Sequence, residues 1–270
     1  MLKVMYITNN LDVALTAEKA GVDRIWIDLE VLGKEERQKN FDSVKSHHSI
    51  DDIKTIAPHL SSSEMLVRVD PWNEESLAQI DQVIEAGAQI VMLPYWKTVT
   101  EVKSFICAVA GRAKTMLLLE TKEAEECLDE VLSISGIDEI HIGLNDLHLS
   151  YGLSFMFELY PNGVIEKIAG KIRKAGIPFG IGGMGKLGIG LLPRPEDVIV
   201  EQYRLGSQAI ILSRSFCNYQ KMGDLTLIEK ELTEGIAKIR EIEKDCLGFS
   251  QEQFESNKRR LDADTLSFIS

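Results

Sequence analysis

Three charged residues stand at the ends of apolar runs or inside them. Glu120 closes Met116-Leu117-Leu118-Leu119, Asp146 follows Ile142-Gly143-Leu144-Asn145, and Arg68 interrupts Leu66-Val67-Arg68-Val69. A carboxylate directly after four apolar residues sits at the edge of a dry interior. Two carboxylates at the ends of neighbouring strands, about 5 Å apart, can share one divalent cation. Oxygen ligands suit Mg2+ or Mn2+, with Co2+ beside them, and water or substrate fills the other positions. The alternative is a pair of helix caps, with Asp146 capping a following helix and Glu120 accepting from the first turn after it. An arginine buried in a strand must be paired. Its fork is either aimed at a substrate carboxylate or keto oxygen, where it stabilises an enolate, or tied in a structural salt bridge to Asp28 or Glu30.

What must position these residues is a pattern that recurs eight times: an apolar or β-branched run, a turn, and a stretch of helical periodicity. The runs are Val4–Thr8, Arg24–Glu30, Met65–Val69, Ile90–Tyr95, Thr115–Glu120, Glu139–Leu144, Pro178–Gly183 and Ala209–Ser213. The helical stretches are Asp12–Ala20, Ile50–Ala57, Glu74–Ala86, Val99–Ala110, Lys122–Ser135, Val164–Ala175, Glu196–Leu205 and Leu225–Lys244. Most of them end at a glycine, a helix-terminating signal. Near-continuous apolar strands are those of a parallel sheet covered on both faces. Eight such units predict a TIM (β/α)8 barrel over residues 1–245, in preference to a doubly wound sheet. Residues 246–270 form a C-terminal extension, read either as an added helix packing on a neighbouring subunit or as a surface tail. In barrels the chemistry sits where the strands end, which is where Asp28, Glu30, Arg68, Glu120, Asn145 and Asp146 fall.

Composition narrows the function. The chain has 270 residues, 44% hydrophobic and 27% charged, with net charge −12, so it repels phosphate backbones and predicts no nucleic-acid partner. The one dense basic cluster, Lys258-Arg259-Arg260, reads as a solvated helix face. No apolar run reaches membrane-spanning length. The four cysteines show no CxxC spacing, which predicts reduced thiols and a cytoplasmic protein.

Several segments together resemble one family. Ile27-Asp28-Leu29-Glu30, the Arg68 strand, Leu119-Glu120-Thr-Lys-Glu-Ala124 and Gly136-Ile-Asp-Glu-Ile-His-Ile-Gly143-Leu-Asn-Asp146-Leu resemble, in order, the HpcH/HpaI aldolase and citrate lyase β-subunit family over roughly residues 20–215. The resemblance implies a metal-dependent carbon–carbon lyase acting through a pyruvate-type enolate on a small 2-oxo acid. Glu120 and Asp146 would be the metal ligands, and Arg68 would bind the oxo acid. The backbone N–H groups of Gly143, Leu144 and Asn145 would hold its carboxylate. It also implies a trimer or hexamer, with residues 225–270 contributing.

The chain departs from the family at Val31, where the aldolases carry the histidine that pairs with the aspartate as acid/base. His48, in His48-Ser-Ile-Asp-Asp-Ile, looks like that histidine displaced by an insertion, with His47 as alternate; Asp28 and Glu30 would assist it. Two other readings stay open: a citrate lyase β-like enzyme acting on an acyl-CoA or carrier thioester, and a catalytically silent metabolite-binding barrel. Arg214 is a candidate for a second anionic group of the substrate, or for a salt bridge. Gly180-Ile-Gly-Gly-Met-Gly185 matches a dinucleotide fingerprint in letters only, because no helix opens after it; Leu187 to Pro195, punctuated by Gly and Pro, reads as a loop over the mouth after the seventh strand. His141 reads as a core residue and His148 as a neighbour of Asp146. Tyr95 and Trp96 read either as pocket walls or as packing.

Overall fold

A computed structural model describes residues 1–33, 48–213 and 215–269. Eight parallel strands pair in chain order and close on themselves: β1 (Lys3–Ile7), β2 (Arg24–Asp28), β3 (Glu64–Arg68), β4 (Ile90–Leu93), β5 (Lys114–Leu119), β6 (Glu139–Ile142), β7 (Phe179–Met184) and β8 (Ala209–Leu212). Around them run α1 (Leu11–Lys19), α2 (Ile50–Ile56), α3 (Ser76–Ala86), α4 (Val99–Val109), α5 (Lys122–Glu126), α6 (Leu128–Val131), α7 (Leu144–Ser150), α8 (Val164–Ala175), α9 (Pro195–Leu205), α10 (Tyr219–Met222), α11 (Leu225–Cys246) and α12 (Gln251–Ile269). The chain is the (β/α)8 barrel that the repeat predicts, with a helical C-terminal segment. None of the described helices is long and apolar enough to cross a membrane.

Local chemistry sets the helix starts. Asn10 caps α1, and the pairs Ser49/Asp52 and Thr98/Glu101 form reciprocal capping boxes on α2 and α4, each satisfying amides that the helix itself cannot. The single helix expected over Lys122–Ser135 is instead two short ones. The chain leaves helical geometry at Cys127 (φ −95°, ψ 9°), where the thiol donates to the carbonyls of Lys97 and Ala124. Helix α7 was not foreseen: it opens on Gly143, which has no side chain to signal a cap. Helix α12 lies against α9 of the same chain. Asn257 donates to the Asp197 carbonyl (2.8 Å), Arg260 to the Asp197 carboxylate (2.9 Å), and Arg194 pairs with Asp264 (3.2 Å).

Alternate residues of each strand fill the barrel in layers. At the bottom, fully buried Arg24 bonds Glu139 and Glu64, which also face Lys3 and Lys114. Above lies an apolar layer that includes Met5, Trp26, Leu66, Met92, Met116 and Leu118. Asp28 and Arg68 stand above that layer, adjacent in the β2–β3 register.

His141 completes the interior between β6 and β7. Its Nε2 lies 3.2 Å from the Gly182 carbonyl, so in the neutral ring Nε2–H donates there. Burial drives its pKa down from 6.5 to about 4, and the unfolded chain therefore takes up a proton at a pH where the folded one does not. This contribution to stability is complete above the unfolded value and falls as pH drops from 6.5 toward 4, by up to about 3 kcal/mol. Urea denaturation near pH 7 and near pH 4 should show a smaller acid loss in His141→Gln than in the wild type. A β-carbon at Gly180 would lie 2.4 Å from His141 Nδ1 and 2.7 Å from the Ala209 carbonyl. Gly180→Ala should therefore lose about 1–3 kcal/mol in the same assay.

Candidate active site

The site is built on Arg68. Its Nε and Nη2 donate to the two oxygens of Asp28 (2.9 and 2.8 Å), its Nη1 pairs with Glu30 (3.2 Å), and its Cζ lies 5.1 Å from the centre of the Trp26 ring. Three of its five N–H bonds meet carboxylates, leaving one hydrogen on each Nη for a ligand. Burial alone would lower the guanidinium's pKa. The charges of Asp28 and Glu30, the Asp28 hydrogen bonds and the Glu120 charge outweigh it and hold the group far above its ordinary value. The substrate-fork reading and the salt-bridge reading of Arg68 thus hold together: the same side chain is clamped from behind and lines the cavity in front.

Asp28 and Glu30 are each 4% exposed and do not line that cavity. They touch Arg68, and so act as positioning residues. Asp70 fixes the next stretch: its Oδ1 accepts from the amides of Val31 (2.7 Å) and Leu32 (2.9 Å). The Val31 side chain, in the place of the family histidine, is 67% exposed.

His48 lines the cavity with Arg68, Glu120 and Asp146. Its Nδ1 accepts from the Asp28 amide at 3.0 Å. A neutral imidazole so engaged carries its proton on Nε2, so His48 presents a donor in this arrangement. His47 and Arg214 lie outside the described residues.

Glu120 is the first residue past β5, and its Oε1 accepts from the Tyr95 amide (3.0 Å). Tyr95 reaches it from a left-handed backbone (φ 50°), a costly conformation for a bulky residue. What Tyr95 offers the site is this amide; neither it nor the fully buried Trp96 walls the cavity. Asp146 is the third residue of α7 and 7% exposed. Neither carboxylate holds a cap position: Thr121 caps α5 and Gly143 stands before α7. A β-carbon at Gly143 would lie 3.0 Å from Glu120 Oε2, so glycine leaves the room beside that oxygen. The donor set is hard oxygen, and four carboxylates face one guanidinium among the described residues, which fits a divalent cation. Among the described residues no three or more His, Cys, Asp or Glu side chains cluster in a metal-binding group.

The Gly143 amide is not open to a substrate, because it donates to the Leu119 carbonyl (2.9 Å). The Leu144 and Asn145 amides open α7, where the helix offers no acceptor, and both residues line the cavity. Ser213, Ser215 and the segments 155–157 and 191–193 complete a cavity of about 540 Å3. The loop expected over the mouth is present and contributes Leu191–Pro193. The aromatic segment 155–157 was missed; its only signal was two phenylalanines outside any periodic element.

A closed parallel barrel whose C-terminal strand ends hold Arg68, Glu120 and Asp146 around one cavity has the layout of a barrel enzyme. The chain belongs to the HpcH/HpaI aldolase/citrate lyase family, whose sequence model matches residues 3–181. It is 26% identical over 170 residues to a hydroxypyruvate/pyruvate aldolase of Sagittula stellata, a match covering 52% of this chain and 62% of that one. It is 25% identical over 177 residues to a hydroxypyruvate/pyruvate aldolase of Roseovarius nubinhibens, covering 51% and 66%. Each match thus spans less than two thirds of the relative. An HpcH/HpaI aldolase from Desulfitobacterium hafniense superposes with TM-score 0.63 at 15% identity, over 84% of this chain and 92% of that one, which shows the shared fold.

Removing Asp28 would strip Arg68 of two of its three ion-paired N–H bonds and leave it Glu30 alone, and breaking a buried pair costs about 3–5 kcal/mol. Asp28→Ala should therefore lower stability by that order in urea denaturation. Asp51→Ala, whose partner Lys54 is exposed, should change it by less than about 1 kcal/mol.

Proposed function

We propose that this protein is a carbon–carbon lyase acting through the enolate of a small 2-oxo acid. The observation that carries this reading is the meeting, in one cavity, of a guanidinium clamped by two buried carboxylates with a second carboxylate pair, Glu120 and Asp146. Those two residues would hold a divalent cation, Mg2+ or Mn2+, which when bound supplies Lewis-acid polarisation of the keto oxygen.

The rest follows from the chain's own groups. Arg68 directs its remaining N–H bonds at the oxygen on which enolate charge develops. Its charge is useful there because Asp28 and Glu30 fix its orientation before substrate arrives. The Leu144 and Asn145 amides receive the substrate carboxylate. In cleavage, the bond between C3 and the carbinol carbon breaks and its electron pair stays on the oxo acid as the enolate. The carbinol hydroxyl gives its proton to water as it becomes the aldehyde; in addition, the new alkoxide takes a proton from water. His48 would donate a hydrogen bond from Nε2–H to that oxygen and steady the charge on it.

Enolate formation can be read without a second substrate, as deuterium entering the methyl group of pyruvate in D2O by NMR. We expect exchange that EDTA abolishes and Mn2+ or Mg2+ restores. Glu120→Gln and Arg68→Lys should each reduce it by about 10²-fold or more. Calorimetry should show divalent-cation binding that weakens in Gly143→Ala, whose new methyl presses on Glu120. No exchange with any cation, joined to no calorimetric binding, would overturn the proposal.

A further inference from the structure

The cavity is larger than a pyruvate-sized acid requires. At about 30 Å3 for a water-sized volume, such an acid and a cation take on the order of 200 Å3, against about 540 Å3 available. The charged groups gather on one side, above β2, β3, β5 and β6. The far wall is made by Phe155, Met156, Phe157, Leu191, Leu192 and Pro193. We infer that the second substrate, on the reading just given, is an aldehyde bearing an uncharged apolar substituent of aromatic size, seated on this wall.

Three features support the inference. First, several polar side chains that line the cavity are already hydrogen-bonded within the protein. Ser213 and Ser215 share a hydrogen bond (2.7 Å), the Tyr6 hydroxyl donates to the Cys217 carbonyl (2.9 Å), and the Asn218 side chain caps α10. A polar substituent would have to displace these bonds. Second, Arg68, the described cation that lines the cavity, stands at the end of β3, whereas the wall segments follow β6 and β7. Lys186, beside β7, is paired with Glu231. Third, the wall carries exposed apolar surface, Leu191 being 41% and Leu192 47% exposed. An apolar substituent would cover it.

The wall is also braced. Phe155 stacks on Phe268 at 4.3 Å, near the end of α12, and tilts against Phe157 at 5.3 Å. Phe268 does not line the cavity; it is a positioning residue that sets the Phe155 ring from behind. Met156 between the two rings is adaptable and accepts varied apolar shapes.

The test uses the full chain, pyruvate and three aldehydes: phenylacetaldehyde, hexanal and succinic semialdehyde, the last carrying a carboxylate. Adduct formation is followed by NMR, and deuterium exchange into pyruvate is measured separately without any aldehyde. We expect kcat/KM for the two apolar aldehydes to exceed that for succinic semialdehyde by roughly 10- to 100-fold. Phe268→Ala should raise KM for phenylacetaldehyde several-fold more than it lowers kcat, and Phe268→Tyr should restore it. Exchange into pyruvate with equal or better use of succinic semialdehyde would overturn the acceptor assignment and leave the enolate chemistry standing. Absence of exchange with any cation, joined to absence of calorimetric cation binding, would overturn both.

Discussion

A guanidinium buried at the mouth of a barrel has to be neutralised, and that constraint organises the site. Arg68 is held by Asp28 and Glu30, and the clamp is possible because the β2–β3 register sets Asp28 directly beside Arg68. Glu30 lies two residues further on, the spacing that returns a strand-like chain to the same face. Had β2 slipped by one residue, both acids would face the helices and Arg68 would be an uncompensated charge in the core. The same clamp passes to His48, which accepts from the Asp28 amide. One strand pairing therefore positions the fork, keeps it charged and orients the imidazole.

Much of this is legible in the sequence, for physical reasons. A barrel strand covered on both faces must be apolar throughout, so Arg68 and Glu120 stand out as exceptions, and exceptions in a dry environment need a partner or a ligand. Eight repeated units with capped helices specify the architecture almost unaided. The sequence is less informative where backbone does the work. The Tyr95 amide on Glu120, the loss of the Gly143 amide to Leu119 and the α7 helix depend on loop conformation that no side-chain type announces. Asp28 and Glu30 could be listed as acids near the mouth. That they stand behind Arg68, away from the cavity, emerges only from the fold.

The far wall was invisible for a related reason. Phe155, Met156 and Phe157 lie in a short turn between α7 and α8, with no period to assign them to a core. Their neighbour Phe268 comes from the far end of the chain. Contacts between segments more than a hundred residues apart leave no local signature. The C-terminal extension looked separable from the barrel by composition; in the fold its last turn braces a wall of the cavity.

The two ends of the barrel show why the mouth, rather than the floor, is the place for a ligand. At the floor, Arg24, Lys3 and Lys114 meet Glu64 and Glu139, and the cations and anions interleave within bonding distance. Such a plug is close to electrically complete and needs nothing from solution. At the mouth, among the described residues, one guanidinium faces Asp28, Glu30, Glu120 and Asp146. Two of those acids satisfy the arginine, and the other two face a cavity that also receives amides with no helical acceptor. Burying like-charged carboxylates together is costly unless positive charge joins them. Among the described residues this imbalance suits the cation and the anionic oxo acid of the proposed reading better than the floor does. The interior uses the same device twice, and the difference in charge balance separates a structural plug from the candidate site.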